Sequence, residues 1–125
     1  MTAFFPGRAT IDGYGNGGFL FADMTHRGSI IATAAGIGEW RPGHVAAIMP
    51  DDLRPLRESP EPIDIFILGT GRTTNFPSRE IRMLLAEMCR SVDFMSTGTA
   101  ISTYNILLGE ARRVAAGLIA VDHAR

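Results

Sequence analysis

The sequence predicts a fold of the α/β class in one domain over residues 1–125, and three observations carry that prediction. The chain has 125 residues, of which 46% are hydrophobic and 20% charged, the size and composition of one globular domain. A near-continuous apolar run at residues 63–68 is typical of a strand buried on both faces. A helical pattern and a second strand follow within the length of one βαβ unit.

The first third of the chain predicts short strands joined by turns. Residues 9–14 form a short run that leads into the glycine-rich turn 13–18, where glycine and Asn16 tolerate positive φ. Residues 19–21 and 29–33 are β-rich, and the polar residues 23–28 between them predict a turn. We therefore expect a hairpin or meander here. The glycines do not form a dinucleotide fingerprint, because that motif requires a helix after the turn.

The middle of the chain is broken by glycine and proline, which exclude long elements. Trp40 lies in this segment, and a single tryptophan in a loop predicts a side chain that plugs or covers the core. Asp51 or Asp52 is expected to cap one short helical turn that contains Leu53 and Leu56.

The second half of the chain predicts two helices between three strands. After the strand at 63–68, Pro77 or Ser78 begins a helix with one apolar face, and a short strand follows at 91–95. Ser96 or Thr97 begins the second helix, and a buried strand is expected at 114–121. The apolar phases of these elements predict a core that contains Ile65, Ile67, Leu84, Leu85, Leu107, Leu108 and Ile119.

Charge and residue usage exclude several classes of function. The formal net charge is −1, which argues against a dedicated binder of nucleic acids. All basic residues are arginine, so a Schiff-base lysine and a phosphate-loop lysine are excluded. The single cysteine, Cys89, excludes an internal disulfide, fits a reducing compartment, and is expected to be a core filler and not a nucleophile.

No cofactor, metal site or membrane span is predicted. His26, His44 and His123 lack metal-ligand spacing, and Asp51 and Asp52 resemble a helix cap more than an acid–base pair. The longest uncharged stretch, residues 94–109, is too short and too polar to cross a bilayer. We expect a cytoplasmic protein. Its catalytic residues, if it has any, stay unknown, since no Gly-x-Ser-x-Gly elbow is present.

The best candidate for a ligand site is the turn after the strand at 63–68. In open α/β sheets ligands collect at the carboxyl ends of strands, and glycines let backbone amides approach an anion. The second strand of the βαβ unit leaves the sheet at the same end. The candidate ligand-binding residues are Gly69, Thr70, Gly71, Arg72, Ser96 and Thr97. The alternative is that the glycines only make a tight turn, the hydroxyls only cap a helix, and Arg72 pairs with a surface acid such as Glu80.

Tyr104 and Asn105 are unusual within a helix. Asparagine favours hydrogen bonds to backbone groups, and a tyrosine tip seeks a polar partner. We expect these two side chains to act as a structural polar latch to a neighbouring loop, with pocket lining as the alternative.

The order of motifs resembles one known family over nearly the whole chain. The motifs are the glycine-rich turn before residues 19–21, Gly28-Ser29-Ile30-Ile31, Trp40, Ile67-Leu68-Gly69-Thr70-Gly71, Met95-Ser96-Thr97, the 103–108 segment and the 110–115 segment. The sequence is similar to a small-domain family of uncharacterised bacterial and archaeal proteins. Its animal relatives are a mitochondrial assembly factor of respiratory complex I (the NADH dehydrogenase alpha subcomplex) and an adipogenesis-associated protein.

The resemblance implies a three-layer fold with a central mixed sheet, flanking helices and an extra β-hairpin layer. It also implies a non-enzymatic, assembly-factor-like module that binds protein partners, with a homo-oligomer allowed and no cofactor. The rival hypothesis is a protein that binds a small anion, or an enzyme, that uses the turn from Gly69 to Arg72. One departure from the family is Ala111, where glycine is usual, which casts doubt on a left-handed helix end at that position.

Overall fold

A computed structural model describes residues 3–122, with the side chains of Ala3 and Phe4 left undescribed. The strands are β1 (Ala3–Pro6), β2 (Gly13–Gly15), β3 (Gly18–Phe21), β4 (Met24–Arg27), β5 (Ile30–Thr33), β6 (Gly36–Glu39), β7 (Ile63–Gly69), β8 (Cys89–Met95) and β9 (Val114–Leu118). The helices are α1 (Arg54–Arg57), α2 (Arg79–Met88) and α3 (Thr97–Gly109), with short 3-10 turns at Val45–Ala47 and Pro50–Leu53.

The nine strands form two sheets. Six make a mixed sheet in the order β1-β6-β5-β9-β7-β8, in which β7 runs parallel to both β8 and β9 while the other pairs are antiparallel. The strands β2, β3 and β4 make a separate antiparallel sheet. The predicted α/β class with a central mixed sheet is therefore confirmed.

Strand β7 is the centre of the parallel part, as its apolar run predicts. Phe66, Ile67 and Leu68 are fully buried, because the strand has neighbours on both sides and helices on both faces. The predicted strand–helix–strand unit is β7, α2 and β8. Ser78 caps α2, with its hydroxyl oxygen accepting from the N–H of Ile81 at 3.3 Å.

The amino-terminal third differs from its prediction. Residues 24–27, expected as a turn, form β4, which pairs with β3. The strand at 30–33 does not pair with β3 but joins the main sheet beside β9. Strand β4 is polar because it is exposed at the edge of the small sheet. Its composition is therefore similar to that of a turn, which explains the wrong prediction. The extra layer is thus a three-stranded sheet where a hairpin was expected.

Two apolar clusters fill the two faces of the main sheet. One contains Trp40, Phe66 and Leu85 beneath α1 and α2, and the other contains Phe19 of the small sheet and Tyr104 of α3. The molecule is therefore three layers deep, with α1 and α2 on one face, and α3 and the small sheet on the other.

The predicted core residues are placed unevenly. Ile67, Leu85 and Ile119 are buried, at 0%, 1% and 2% exposure. Those that are only partly buried, each against the edge of a cluster, are Ile65, Leu84, Leu107 and Leu108. The predicted burial of these four residues was too high. Periodicity shows which face of a helix or strand points inward, but it does not show how completely the surrounding elements cover that face.

The segment between β6 and α1 is held by Trp40 and Asp52. The Trp40 ring is buried, and its Nε1 donates to the Asp52 carbonyl at 2.8 Å, which agrees with the expected core role. Met49, not an aspartate, precedes the 3-10 turn at Pro50–Leu53. The Asp52 carboxylate lies in that first turn and accepts from the Met49 N–H at 2.7 Å, so Asp52 still supplies a cap.

Candidate functional site

The turn after β7 packs directly against the start of α3. A Cβ built on Gly69 would lie 2.9 Å from Leu118 and 3.1 Å from the Cα of Thr97, so only glycine fits there without displacement. Gly71 has φ +109°, a backbone conformation that favours glycine. These two positions explain the Gly-x-Gly sequence on structural grounds.

Thr70 organises the loop that leads to α2. Its side chain is buried; its hydroxyl donates to the Thr73 carbonyl at 2.7 Å and accepts from the Asn75 N–H at 2.9 Å. Its own N–H donates to the Met95 carbonyl at 2.8 Å. Thr70 therefore ties the loop to the end of β8.

Thr97 joins three elements at the same place. Its hydroxyl donates to the Ile119 carbonyl at 2.7 Å and accepts from the Gly71 N–H at 3.0 Å, while its own N–H donates to the Gly71 carbonyl at 2.8 Å. The side chain is fully buried. The amides of Gly71 and Thr97, expected to be available to an anion, are thus already used within the protein, because the buried hydroxyl reaches the turn.

A cleft of about 430 Å³ opens beside this turn. Of the six candidate residues, Gly71, Arg72 and Ser96 line it, whereas Gly69, Thr70 and Thr97 are buried next to it. The remaining lining residues are Tyr14, Gly98, Thr99, Ser102 and Val121. The structure therefore brings the turn and the start of α3 together.

Tyr14, Ser102 and Val121 line the cleft but were not in the predicted site, and Tyr14 is the most distant of them from it in the chain. Tyr14 lies on β2, and a Cβ built on Gly98 would lie only 2.3 Å from its hydroxyl oxygen, so the tyrosine packs tightly over the first turn of α3. Residues 14 and 98 are far apart in the chain, and no local pattern connects them.

Arg72 is exposed on the rim of this cleft. Among residues 3–122 no carboxylate lies within ion-pair distance of it, and Glu80, the expected surface partner, does not pair with it. The ion pairs between described residues are Arg8 with Glu61 and Arg41 with Asp52.

Tyr104 and Asn105 both contact the segment between β1 and β2. The Asn105 side chain bonds both backbone groups of Ile11, and the Tyr104 hydroxyl donates to the Ala9 carbonyl at 3.4 Å. Burial raises the pKa of Tyr104 to about 12, against a small opposing effect of the Arg8 charge. Neither residue lines the cleft, so the geometry favours the latch over the pocket-lining alternative.

The other nucleophile and ligand candidates lie apart from the cleft. Cys89 is buried, and burial raises the pKa of its thiol to about 11, which makes it a poor nucleophile. His44 accepts from the Ala46 N–H through Nδ1 and so caps a 3-10 turn. Over the described part of the chain no three His, Cys, Asp or Glu side chains could hold a metal ion together. His123 lies outside the described residues.

Comparison with known proteins gives a family match over most of the chain. A model of the family described as "Protein of unknown function (DUF498/DUF598)" matches residues 11–119. An uncharacterized protein of Rhodobacter capsulatus is 33% identical over 124 residues, which cover 96% of this chain and 91% of that protein. Within residues 3–122 no helix is both long enough and apolar enough to cross a membrane.

Solved structures show the same architecture. An outer membrane protein from Bartonella henselae is 47% identical, with a TM-score of 0.84 over 94% of this chain and 98% of that one. A Bordetella pertussis protein with an Mth938-like domain is 26% identical, with a TM-score of 0.73 over 98% of this chain and 94% of that one.

Proposed function

The chain belongs to the DUF498/DUF598 family of proteins of unknown function, and on that premise we propose that it is a non-enzymatic protein-interaction module. One observation carries the proposal: the Phe76 side chain is 56% exposed at the edge of the main sheet. Its ring packs edge-to-face on Phe94 of β8, with centroids 5.4 Å apart. Aromatic residues are enriched in the interfaces between proteins.

Strand β8 adds a second supporting feature. Within the described residues it pairs with β7 on one side and has no strand on the other. An edge strand of seven residues offers backbone N–H and C=O groups to a partner segment. The exposed Phe76 ring and the unpaired backbone of β8 are therefore close together, since Phe76 packs on Phe94 of this strand.

The resemblance to the assembly factor of respiratory complex I refines the proposal. The assembly-factor relative acts by binding other proteins, and we propose the same kind of action for this chain. We place this activity in the cytoplasm, since the single cysteine fits a reducing compartment. Deleting the gene in the organism that encodes it, and measuring assembled NADH dehydrogenase, tests this refinement separately from the interaction itself.

The rival hypothesis, a protein that binds a small anion or an enzyme that uses the turn from Gly69 to Arg72, has no support from the backbone amides of that turn. The N–H of Gly71 is bonded to the Thr97 hydroxyl, and the N–H of Thr97 is bonded to the Gly71 carbonyl. An anion at the turn itself would have to displace these bonds, and the buried Thr97 hydroxyl would lose a partner.

A photo-crosslinking amino acid placed at position 76 tests the interaction function in the native cell. Position 106 is the matched control, because Ile106 is 62% exposed but lies on α3, on the opposite face of the sheet. We expect a discrete crosslinked protein from position 76 and not from position 106. Mass spectrometry of that band also distinguishes a second copy of this chain from a different protein.

A second experiment tests the interaction with the Phe76→Ser variant. This variant should keep the stability of the fold, since the side chain is largely exposed, but lose the partner found by crosslinking. The same discrete product from both crosslinking positions, or from neither, would contradict the proposal.

A further inference from the structure

We infer that the cleft between β2 and α3 binds a small organic anion, one that carries a carboxylate or phosphate group. This site is independent of the interaction surface around Phe76. The cleft volume of about 430 Å³ falls within the range of pockets that hold small molecules. Its position at the carboxyl ends of β7 and β8 is where open α/β sheets collect ligands.

The charge of the cleft selects an anion. Among the described residues that line it, Arg72 is the charged one and none is a carboxylate. Because Arg72 has no acidic partner within the described residues, its guanidinium is available to form two parallel bonds with a carboxylate or phosphate. A cation in the same cleft would face Arg72 with no compensating acid from the described lining.

The hydroxyl groups of α3 supply directional donors. The Ser96 hydroxyl donates to the Thr99 hydroxyl oxygen at 3.1 Å. Since Thr99 accepts that bond, its own hydrogen is directed elsewhere and can be donated to a ligand oxygen. The Ser102 hydroxyl makes a long bond of 3.4 Å to the Gly98 carbonyl, weak enough to be exchanged for a ligand.

The opposite side of the cleft suits a carbon skeleton. Tyr14 stands over Gly98, where any larger side chain would collide with its hydroxyl, and Val121 adds an aliphatic surface. An anion with a short carbon skeleton would therefore bury its carbon atoms against Tyr14 and Val121 while its charged group meets Arg72. Inorganic phosphate alone would leave that surface unused.

Titration followed by two-dimensional amide NMR tests the inference. The probes are inorganic phosphate, glycerol 3-phosphate, glycerate and, as the neutral control, glycerol. We expect saturable shifts at Gly71, Gly98 and Thr99 with at least one organic anion, and none with glycerol. Arg72→Gln should weaken the apparent affinity at least about tenfold, the effect of losing a charge-assisted pair. Thr99→Val should weaken it several-fold.

Arg79→Gln is the matched control, since Arg79 is also exposed but begins α2 on the other face of the sheet. It should leave the affinity unchanged. Equal weakening by Arg72→Gln and Arg79→Gln would reveal general charge screening and overturn the site. Absence of saturable shifts at millimolar organic anion would also overturn it. If inorganic phosphate binds as tightly as the organic anions, the assignment of an organic ligand is wrong. The crosslinking at position 76 depends on none of these outcomes.

Discussion

Asn105 on α3 pairs with a single residue, Ile11, through both ends of its side-chain amide. Its Oδ1 accepts from the Ile11 N–H at 2.9 Å, and its Nδ2 donates to the Ile11 carbonyl at 2.8 Å. The Ile11 side chain is buried, so the two bonds satisfy backbone groups of a segment that packs on the core. The side-chain amide of Asn105 therefore satisfies the backbone N–H and C=O of Ile11, as a neighbouring strand would.

We predict that Asn105→Leu lowers the free energy of unfolding by roughly 1–3 kcal/mol, because both backbone groups of Ile11 lose their partner. Chemical denaturation measures the loss. Ser102→Ala, an exposed change on the same helix, should alter stability by less than about 0.5 kcal/mol. Hydrogen exchange at the Ile11 amide should also accelerate in the leucine variant. An unchanged exchange rate there would show that Asn105 does not protect this segment.

The carboxyl-terminal half of the fold was predictable because its signals are local. The apolar run of β7, the helical period of α2 and the capping residue Ser78 each lie within a few residues of one another. The amino-terminal third was less predictable for two reasons. Strand β5 pairs with its neighbour β6 but also with β9, more than eighty positions away, and exposed β4 has the polar composition of a turn.

The candidate site shows the same division. The sequence brought Arg72 and Ser96 to one end of the sheet, since both follow strands that a βαβ unit makes parallel. It did not predict that the Thr97 hydroxyl would accept a hydrogen bond from the N–H of Gly71, because that bond depends on how closely α3 packs against the turn. Tyr14 reaches the cleft only through packing of the small sheet on α3, for which the chain carries no local signal.

Ala111 adopts the left-handed conformation that usually favours glycine at the end of a helix. Its φ is +60°, and the N–H groups of Ala111 and Arg112 donate to the carbonyls of Leu108 and Leu107, which is a Schellman cap of α3. The left-handed end of α3 therefore forms with alanine in place of glycine. The Cβ of Ala111 is strained there, because the left-handed conformation is unfavourable for residues other than glycine.

We predict that Ala111→Gly stabilises the protein by about 0.5–1 kcal/mol, because glycine relieves that strain at the cost of some backbone entropy. The thermal midpoint should rise accordingly. Ala86→Gly is the control, since Ala86 is an exposed position within α2. The same substitution there should destabilise by roughly 1 kcal/mol. A fall in stability for both variants would mean that the left-handed cap does not form in solution.

The unequal burial of neighbouring leucines in α2 gives a matched comparison. Leu85 is 1% exposed, whereas Leu84 is only partly buried at the rim of the same cluster. Leu85→Ala should cost about 2–5 kcal/mol, the loss typical of a filled core position. Leu84→Ala should cost roughly 1–2 kcal/mol, because less of its side chain leaves water on folding. Equal losses would show that the helix is rotated from the described orientation. Leu107→Ala, at a partly buried position, should resemble Leu84→Ala.

The ion pair of Arg41 and Asp52 makes stability depend on pH. The Asp52 side chain is 7% exposed; Arg41 Nε donates to Oδ1 at 2.9 Å and Nη2 to Oδ2 at 2.7 Å. Burial alone would raise the pKa of this carboxyl. The hydrogen bonds from Arg41 and Met49, with the Arg41 charge, outweigh burial and hold the pKa below its ordinary value of 3.8.

A carboxyl with a lowered pKa in the folded state stabilises the protein above its unfolded pKa, and that stabilisation fades as the pH falls through the folded value. We predict that Asp52→Asn lowers the free energy of unfolding by roughly 1–3 kcal/mol at pH 7, through the loss of charge-assisted bonds. The difference between wild type and variant should be constant from about pH 5 to 7 and shrink below about pH 4. Denaturant titrations at fixed ionic strength across this range measure it.

Arg41→Gln should remove part of the pH dependence of stability that Asp52→Asn removes, because the Asp52 carboxylate would keep only its hydrogen bond from the Met49 N–H. Arg54→Gln, an exposed arginine in α1, should leave the pH profile of wild type unchanged. A difference between wild type and Asp52→Asn that grows on acidification would require an Asp52 pKa raised by folding, so burial would dominate over the bonds from Arg41 and Met49. A difference that stays flat down to pH 2 would show that Asp52 contributes no proton-linked stability.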